Sequence, residues 1–133
     1  MSVQAQDAEM NRAMTKARET IGDFLKRLDH PPASQTYLSL KVRLEEDDVV
    51  EHIWLNTVSH SNGWFAGIVG NDPVDLKKIK LGDRVSVHLD HVSDWMAVDG
   101  GHLIGGYTLR VLRDRMTPDE RKALDQKLNL VFD

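Results

Sequence analysis

Hydrophobic residues change their period along the chain. Met10, Ala13, Met14, Ala17, Ile21, Phe24, Leu25 and Leu28 recur at three- and four-residue steps, the repeat of an amphipathic helix. Asp7 and Glu9 stand near its start and Lys26 and Arg27 near its end, which suits the helix dipole. Pro31 and Pro32 close it, since proline lacks a donor and pushes the preceding residue out of helical geometry. The pattern predicts one helix over about 7–29, with Gly22 as a flaw costing up to about 1 kcal/mol relative to alanine. The stripe reads as a core face; a partner-binding helix is the alternative.

From Gln35 the period becomes two. Leu38, Leu40, Val42 and Leu44 alternate with Tyr37, Ser39, Lys41 and Arg43, as in a half-buried strand. Glu45-Glu46-Asp47-Asp48 is an acidic turn, and Val49–Val58 is a second strand antiparallel to the first. Asn62-Gly63 supplies the positive φ of a hairpin, and Trp64–Val69 is a third strand. After the turn Gly70-Asn71-Asp72-Pro73 comes a short extended piece at Val74–Leu76. Strands over Arg84–Leu89 and Val92–Val98 follow, and Asp99-Gly100-Gly101 closes a turn.

Leu103–Met116 fits two patterns. Tyr107, Leu109 and Val111 have period two, whereas Leu109, Leu112 and Met116 suit a helix; the reading adopted is helical. Thr117-Pro118-Asp119-Glu120 is a helix start, with a threonine N-cap, proline at the first position and glutamate at the third. The expected architecture is α+β. It has one N-terminal helix, a curved and mainly antiparallel sheet of about five strands over 36–98, and a helical C-terminal part over about 106–128. Residues 1–133 form a single domain in this reading.

Composition narrows the function. The chain has 133 residues, 41% hydrophobic and 29% charged, with 17 basic against 21 acidic side chains. An ordinary apolar share and mild charge argue for one globular core. The acidic balance argues against nucleic acid and anionic membrane as partners. There is no cysteine, so disulfides, thiolate catalysis and cysteine-based metal sites are excluded. The start, MSVQAQDAEMNRAM, lacks the basic and apolar regions of a secretory signal, and no apolar run approaches the ~20 residues of a membrane span. The expectation is a cytoplasmic protein.

Five short motifs then occur in order: Glu51-His52-Ile53-Trp54-Leu55; Gly67 with Asn71-Asp72-Pro73-Val74; Lys80-Leu81-Gly82-Asp83-Arg84-Val85; Ser93-Asp94-Trp95-Met96; and Gly105-Gly106-Tyr107-Thr108. In that order and spacing, from about Met10 to about Arg121, the chain resembles the YegJ-like family of bacterial proteins, a domain of unknown function. The resemblance implies no reaction, cofactor or catalytic residue. Some similar small proteins are exported. Small acidic domains of this kind also serve as immunity proteins beside bacterial toxins, which is analogy only.

Glu51-His52-x-Trp54 is the most chemical-looking stretch. On a strand Glu51 and His52 face opposite sides and cannot form a direct acid–base pair without a bulge. Either His52 and Trp54 make a ligand-binding surface, or Trp54 fills the core between sheet and helix while His52 caps a backbone group. Glu51 on the Ile53 face needs a partner, with Arg84 or Arg110 as candidates. Asp94 either receives backbone donors and fixes Trp95 against the core, or stands as a charge beside an aromatic pocket. His88 and His91 fall on opposite sides of an extended segment, so no metal site is expected. No phosphate-cradling glycine motif or nucleophile elbow is present. Arg110, Arg113, Arg115, Arg121 and Lys122 read as a solvated helix face paired with Asp114, Asp119 and Glu120.

These readings lead to a non-enzymatic protein-binding module without cofactor or metal, either immunity-like or accessory, acting as a monomer or homodimer. Glu45, Glu46, Asp47 and Asp48 would steer a basic partner such as a toxin. The alternative is a ligand-binding or enzymatic site around His52, Trp54, Asp94 and Trp95, which requires those side chains to converge on one cleft, with Glu51 as a further candidate binding residue.

Overall fold

The computed structural model describes residues 7–133. The N-terminal stripe forms two helices, α1 (Ala8–Glu19) and α2 (Ile21–Asp29). Asp7 caps α1 by accepting from the Met10 backbone N–H. The single helix expected over 7–29 breaks at Thr20, which leaves helical geometry with ψ near 13°. Its hydroxyl donates to the Lys16 carbonyl and accepts from Trp95 Nε1 at 3.1 Å. Periodicity continues across this break because both helices lay their apolar residues on the same core. Gly22 thus falls in the first turn of α2 and not in a helix interior.

Six strands follow: β1 (Gln35–Glu46), β2 (Val49–Ser61), β3 (Trp64–Val69), β4 (Arg84–His88), β5 (Val92–Asp99) and β6 (His102–Gly105). They form one sheet of order β4-β3-β2-β1-β5-β6 with antiparallel neighbours. The β1–β2 turn has positive φ at Asp47 and Asp48, and the β2–β3 turn at Asn62 and Gly63. The short piece at Val74–Leu76 belongs to a loop over 70–83 and not to a strand. Leu89 lies in a 3₁₀ turn (Leu89–His91). The ambiguous stretch from 103 divides: β6 ends at Gly105, and helix α3 (Tyr107–Asp114) begins after Gly106.

The sheet is strongly bent. Val49–Leu55 of β2 pair with β1, whereas Leu55–Ser61 pair with β3, and the register slips around Thr57, whose φ is 50°. The short link from β4 to β5 requires the curvature. In a flat sheet these strands would lie about 19 Å apart at ~4.8 Å per neighbour. The 3₁₀ turn joining them reaches at most about 14 Å even if extended.

The concave side holds the core. Leu40, Val42, Leu44, Ile53, Leu55, Phe65, Val69 and Trp95 meet Ala17 and Phe24 from the helices. Phe24 is central, with ring centroids 6.2 Å from Trp95 and 6.5 Å from Phe65. Helix α4 (Pro118–Leu128) opens with the expected capping box between Thr117 and Glu120. The chain then returns to β6, where Val131 exchanges backbone bonds with Leu103 and Gly101.

Candidate functional site

Pairing between β1 and β2 decides which candidate residues meet. Lys41 stands opposite Trp54, and Arg43 opposite His52. These four side chains form a block on the convex side, while Leu40, Val42, Ile53 and Leu55 fill the concave side. The Lys41 ammonium sits over the Trp54 ring, 5.6 Å from its centroid. Trp54 is therefore half-buried on the outer side and does not fill the core between sheet and helix. Trp95 takes that place: it pairs with Leu40, faces inward and is 1% exposed.

A bulge on β5 sets Ser93 and Asp94 beside the block. Ser93 Oγ and His52 Nδ1 share a hydrogen bond of 2.6 Å. Burial lowers the His52 pKa, and the charges of Lys41 and Arg43 lower it further. Burial also lowers that of Lys41, with Asp94 opposing. Lys41 Nζ donates to Thr108 Oγ1 at 3.4 Å.

Asp94 acts as a buried cap for a helix distant in sequence. Oδ1 accepts from the backbone N–H groups of Trp95 and Tyr107; Oδ2 accepts from the Thr108 N–H and hydroxyl. Helix α3 needs this because its N-cap position is Gly106, which has no side chain to offer. Burial raises the Asp94 pKa against the pull of the four donors. Gly105 and Gly106 make the approach possible. Both have positive φ, and a Cβ on Gly105 would lie 2.6 Å from the Trp95 carbonyl oxygen.

Glu51 points to the opposite side and has neither Arg84 nor Arg110 as its partner. It binds the loop over 70–83, accepting from the N–H groups of Val74, Asp75 and Leu76 at 2.7–3.1 Å. Burial pushes its carboxyl up, but the three donors together hold it below the ordinary range. Glu46 does the same for the N–H groups of Lys77 and Lys78. Arg110 instead donates to the carbonyls of Gly105, Leu103 and Asp133. The basic helix face pairs differently from expectation as well: Arg113 clasps Asp125, and Arg115 clasps Asp7.

The bent sheet thus divides the candidate residues. His52, Trp54 and Asp94 share one side; Glu51 and Trp95 lie on the other. Of the acidic turn, Glu46 is taken up by the loop, Glu45 lies 3.4 Å from Arg43, and Asp47 lies 3.4 Å from Lys78. Lys41 and Arg43 were not singled out by sequence, although a signal existed. A turn centred on Asp47-Asp48 sets 41 opposite 54 and 43 opposite 52. No comparable signal led to Ser93 or Thr108, which arrive by a bulge and a helix start. A groove of ≈ 480 Å³ lies elsewhere, lined by Arg113, Arg121, Lys122 and Asp125. No helix among the described residues is long and apolar enough to cross a membrane.

Comparison with known proteins agrees with the family resemblance. A protein of Neisseria meningitidis serogroup B named as an ankyrin repeat protein is 29% identical over 138 residues, covering 98% of this chain and 54% of that protein. The chain therefore spans about half the length of that relative. The uncharacterized protein YegJ of Escherichia coli K12 is 29% identical over 119 residues, covering 90% of this chain and 76% of YegJ. No solved structure matches the chain significantly. The family model described as "Uncharacterized protein conserved in bacteria (DUF2314)" matches residues 7–132, and the chain belongs to that family.

Proposed function

We propose that this domain is a non-enzymatic, cytoplasmic protein-binding module, immunity-like or accessory in role, that engages its partner through the β1–β2 hairpin. One observation carries the reading: the carboxylates best suited to chemistry are consumed by the fold. Asp94 accepts four hydrogen bonds and Glu51 three, all from this chain. A general acid or base needs a free lone pair or proton aimed at substrate. The hairpin tip has the opposite character. Asp47 and Asp48 are exposed beside Val49 and Val50, each 39% exposed. Acidic groups around a small apolar patch suit encounter with a basic partner surface.

The test is capture of partners from a bacterial lysate by the tagged chain, compared with Asp47→Asn combined with Asp48→Asn. Asparagine tolerates the positive φ found at both positions, so the turn is kept and only charge is lost. The expected result is a partner whose recovery falls with the variant and falls in the wild type as salt rises. Identical recovery of every partner by both proteins would remove the hairpin tip from the interface.

A further inference from the structure

Part of the sheet's convex side is lined by cations, although the chain as a whole is acidic. The net charge is -4, yet the block paired across β1 and β2 holds Lys41, Arg43, His52 and Trp54. The ammonium of Lys41 rests on the Trp54 ring and a hydroxyl. Among the described residues it forms no ion pair. Asp94, its neighbour on β5, is fully buried beneath the start of α3 and engaged by four donors. Two carboxylates therefore adjoin the block: Asp94, which shares the Thr108 hydroxyl with Lys41 and is inaccessible, and Glu45, whose ion pair with Arg43 is half exposed on both sides.

We propose that this block is a docking site for an extended segment of a partner protein carrying acidic side chains at alternate positions. The proposal rests on the protein-binding reading above and adds a second, acidic element to a partner whose basic surface meets the hairpin tip. Spacing selects it. Lys41 and Arg43 are two residues apart on one strand face, which sets their stems about 6.8 Å apart. Acidic residues at i and i+2 of an extended peptide repeat at the same distance. Trp54, opposite Lys41 on β2 and half open, offers an apolar floor to the segment. A polyphosphate chain fits less well, because a strand running on along β1 would meet Glu45 and then the acidic tip at Asp47 and Asp48.

The test uses the full chain and fluorescence anisotropy of a dye-labelled peptide Thr-Glu-Val-Glu-Thr. Controls are Thr-Lys-Val-Lys-Thr and a labelled ten-nucleotide oligouridine. Saturable binding of the acidic peptide is expected. It should weaken about fivefold in Arg43→Gln and in Lys41→Gln, the effect of losing one partly exposed ion pair. Glu45→Gln should tighten it by freeing Arg43. Circular dichroism melts confirm that each variant is folded, and Arg43→Gln, at the more exposed position, serves if Lys41→Gln is not. No saturation, equal binding of the basic peptide, or affinity unchanged in the folded variants would overturn the proposal. Tighter binding of oligouridine would overturn it in favour of nucleic acid. A self-association abolished by Arg43→Gln would give the face to a second copy of the chain. The two readings fail separately: a silent peptide assay beside a partner lost on Asp47→Asn with Asp48→Asn leaves the module and removes only this face.

Discussion

Single side chains decide the structure most clearly at Asp94. Its two oxygens accept from three backbone N–H groups and one hydroxyl, joining β5 to the first turn of α3. An asparagine amide can serve one pair of donors only, and its N–H₂ then confronts the other. Asp94→Asn should lower stability by about 2–3 kcal/mol, the cost of buried donors left unmatched. A urea melt checks this; a loss below about 0.5 kcal/mol would mean that water or a shift of α3 satisfies the donors. The aspartate could be read as a backbone acceptor from its turn-like context. That it caps a helix thirteen residues on could not, because the cap geometry depends on where β6 delivers Gly105 and Gly106.

At the scale of elements, the loop over 70–83 is a long connection held by two glutamates of one hairpin. Glu46 and Glu51 accept from consecutive backbone donors at its middle, and Leu76 and Ile79 pack onto the core. Glu51→Gln keeps the side-chain shape but replaces one acceptor oxygen with a donor. Amide exchange at Val74, Asp75 and Leu76 should accelerate at least about tenfold while β1, β2 and β5 stay protected, since such loops open below the global free energy. Uniform acceleration across the sheet would show that the loop unfolds only with the whole domain. The sequence reads as a short extended piece at 74–76. The structure shows that its backbone donors are met by a carboxylate and not by a neighbouring strand, which no local pattern announces.

For the whole molecule, pH dependence reports on the block over β1 and β2. The folded His52 has a pKa below its ordinary value, from burial and then from Lys41 and Arg43. Between the unfolded value near 6.5 and the lower folded value, the unfolded chain binds the extra proton. His52 therefore contributes stability that is present above the unfolded value and lost as pH falls through the folded one. His52→Gln, which can still reach Ser93 with its amide, should flatten the stability profile below pH 6.5. The slope difference should not exceed about 1.4 kcal/mol per pH unit, the effect of a single proton. Denaturant melts at half-unit steps check this, and parallel profiles would mean that the imidazole titrates freely. Asp94 has the opposite sign: with its folded pKa raised, its contribution is lost as pH rises through that value.

Local chemistry sufficed for much of this protein. The α+β class, the two strands of the β1–β2 hairpin, the Asn62-Gly63 turn and the Thr117 capping box all follow from periodicity and turn residues, which act over a few positions. The break at Thr20, the handover of β2 from β1 to β3, and β6 inside an apparent helix were set by long-range packing. They depend on where Trp95 lies, on a bulge, and on strand pairing that no window of neighbours contains. The same holds for the candidate residues. Glu51, His52, Trp54, Asp94 and Trp95 all stand out along the chain as polar or aromatic groups in strands. Which side of the bent sheet each occupies, and so which can act together, is a property of register and curvature, and only the folded molecule has those.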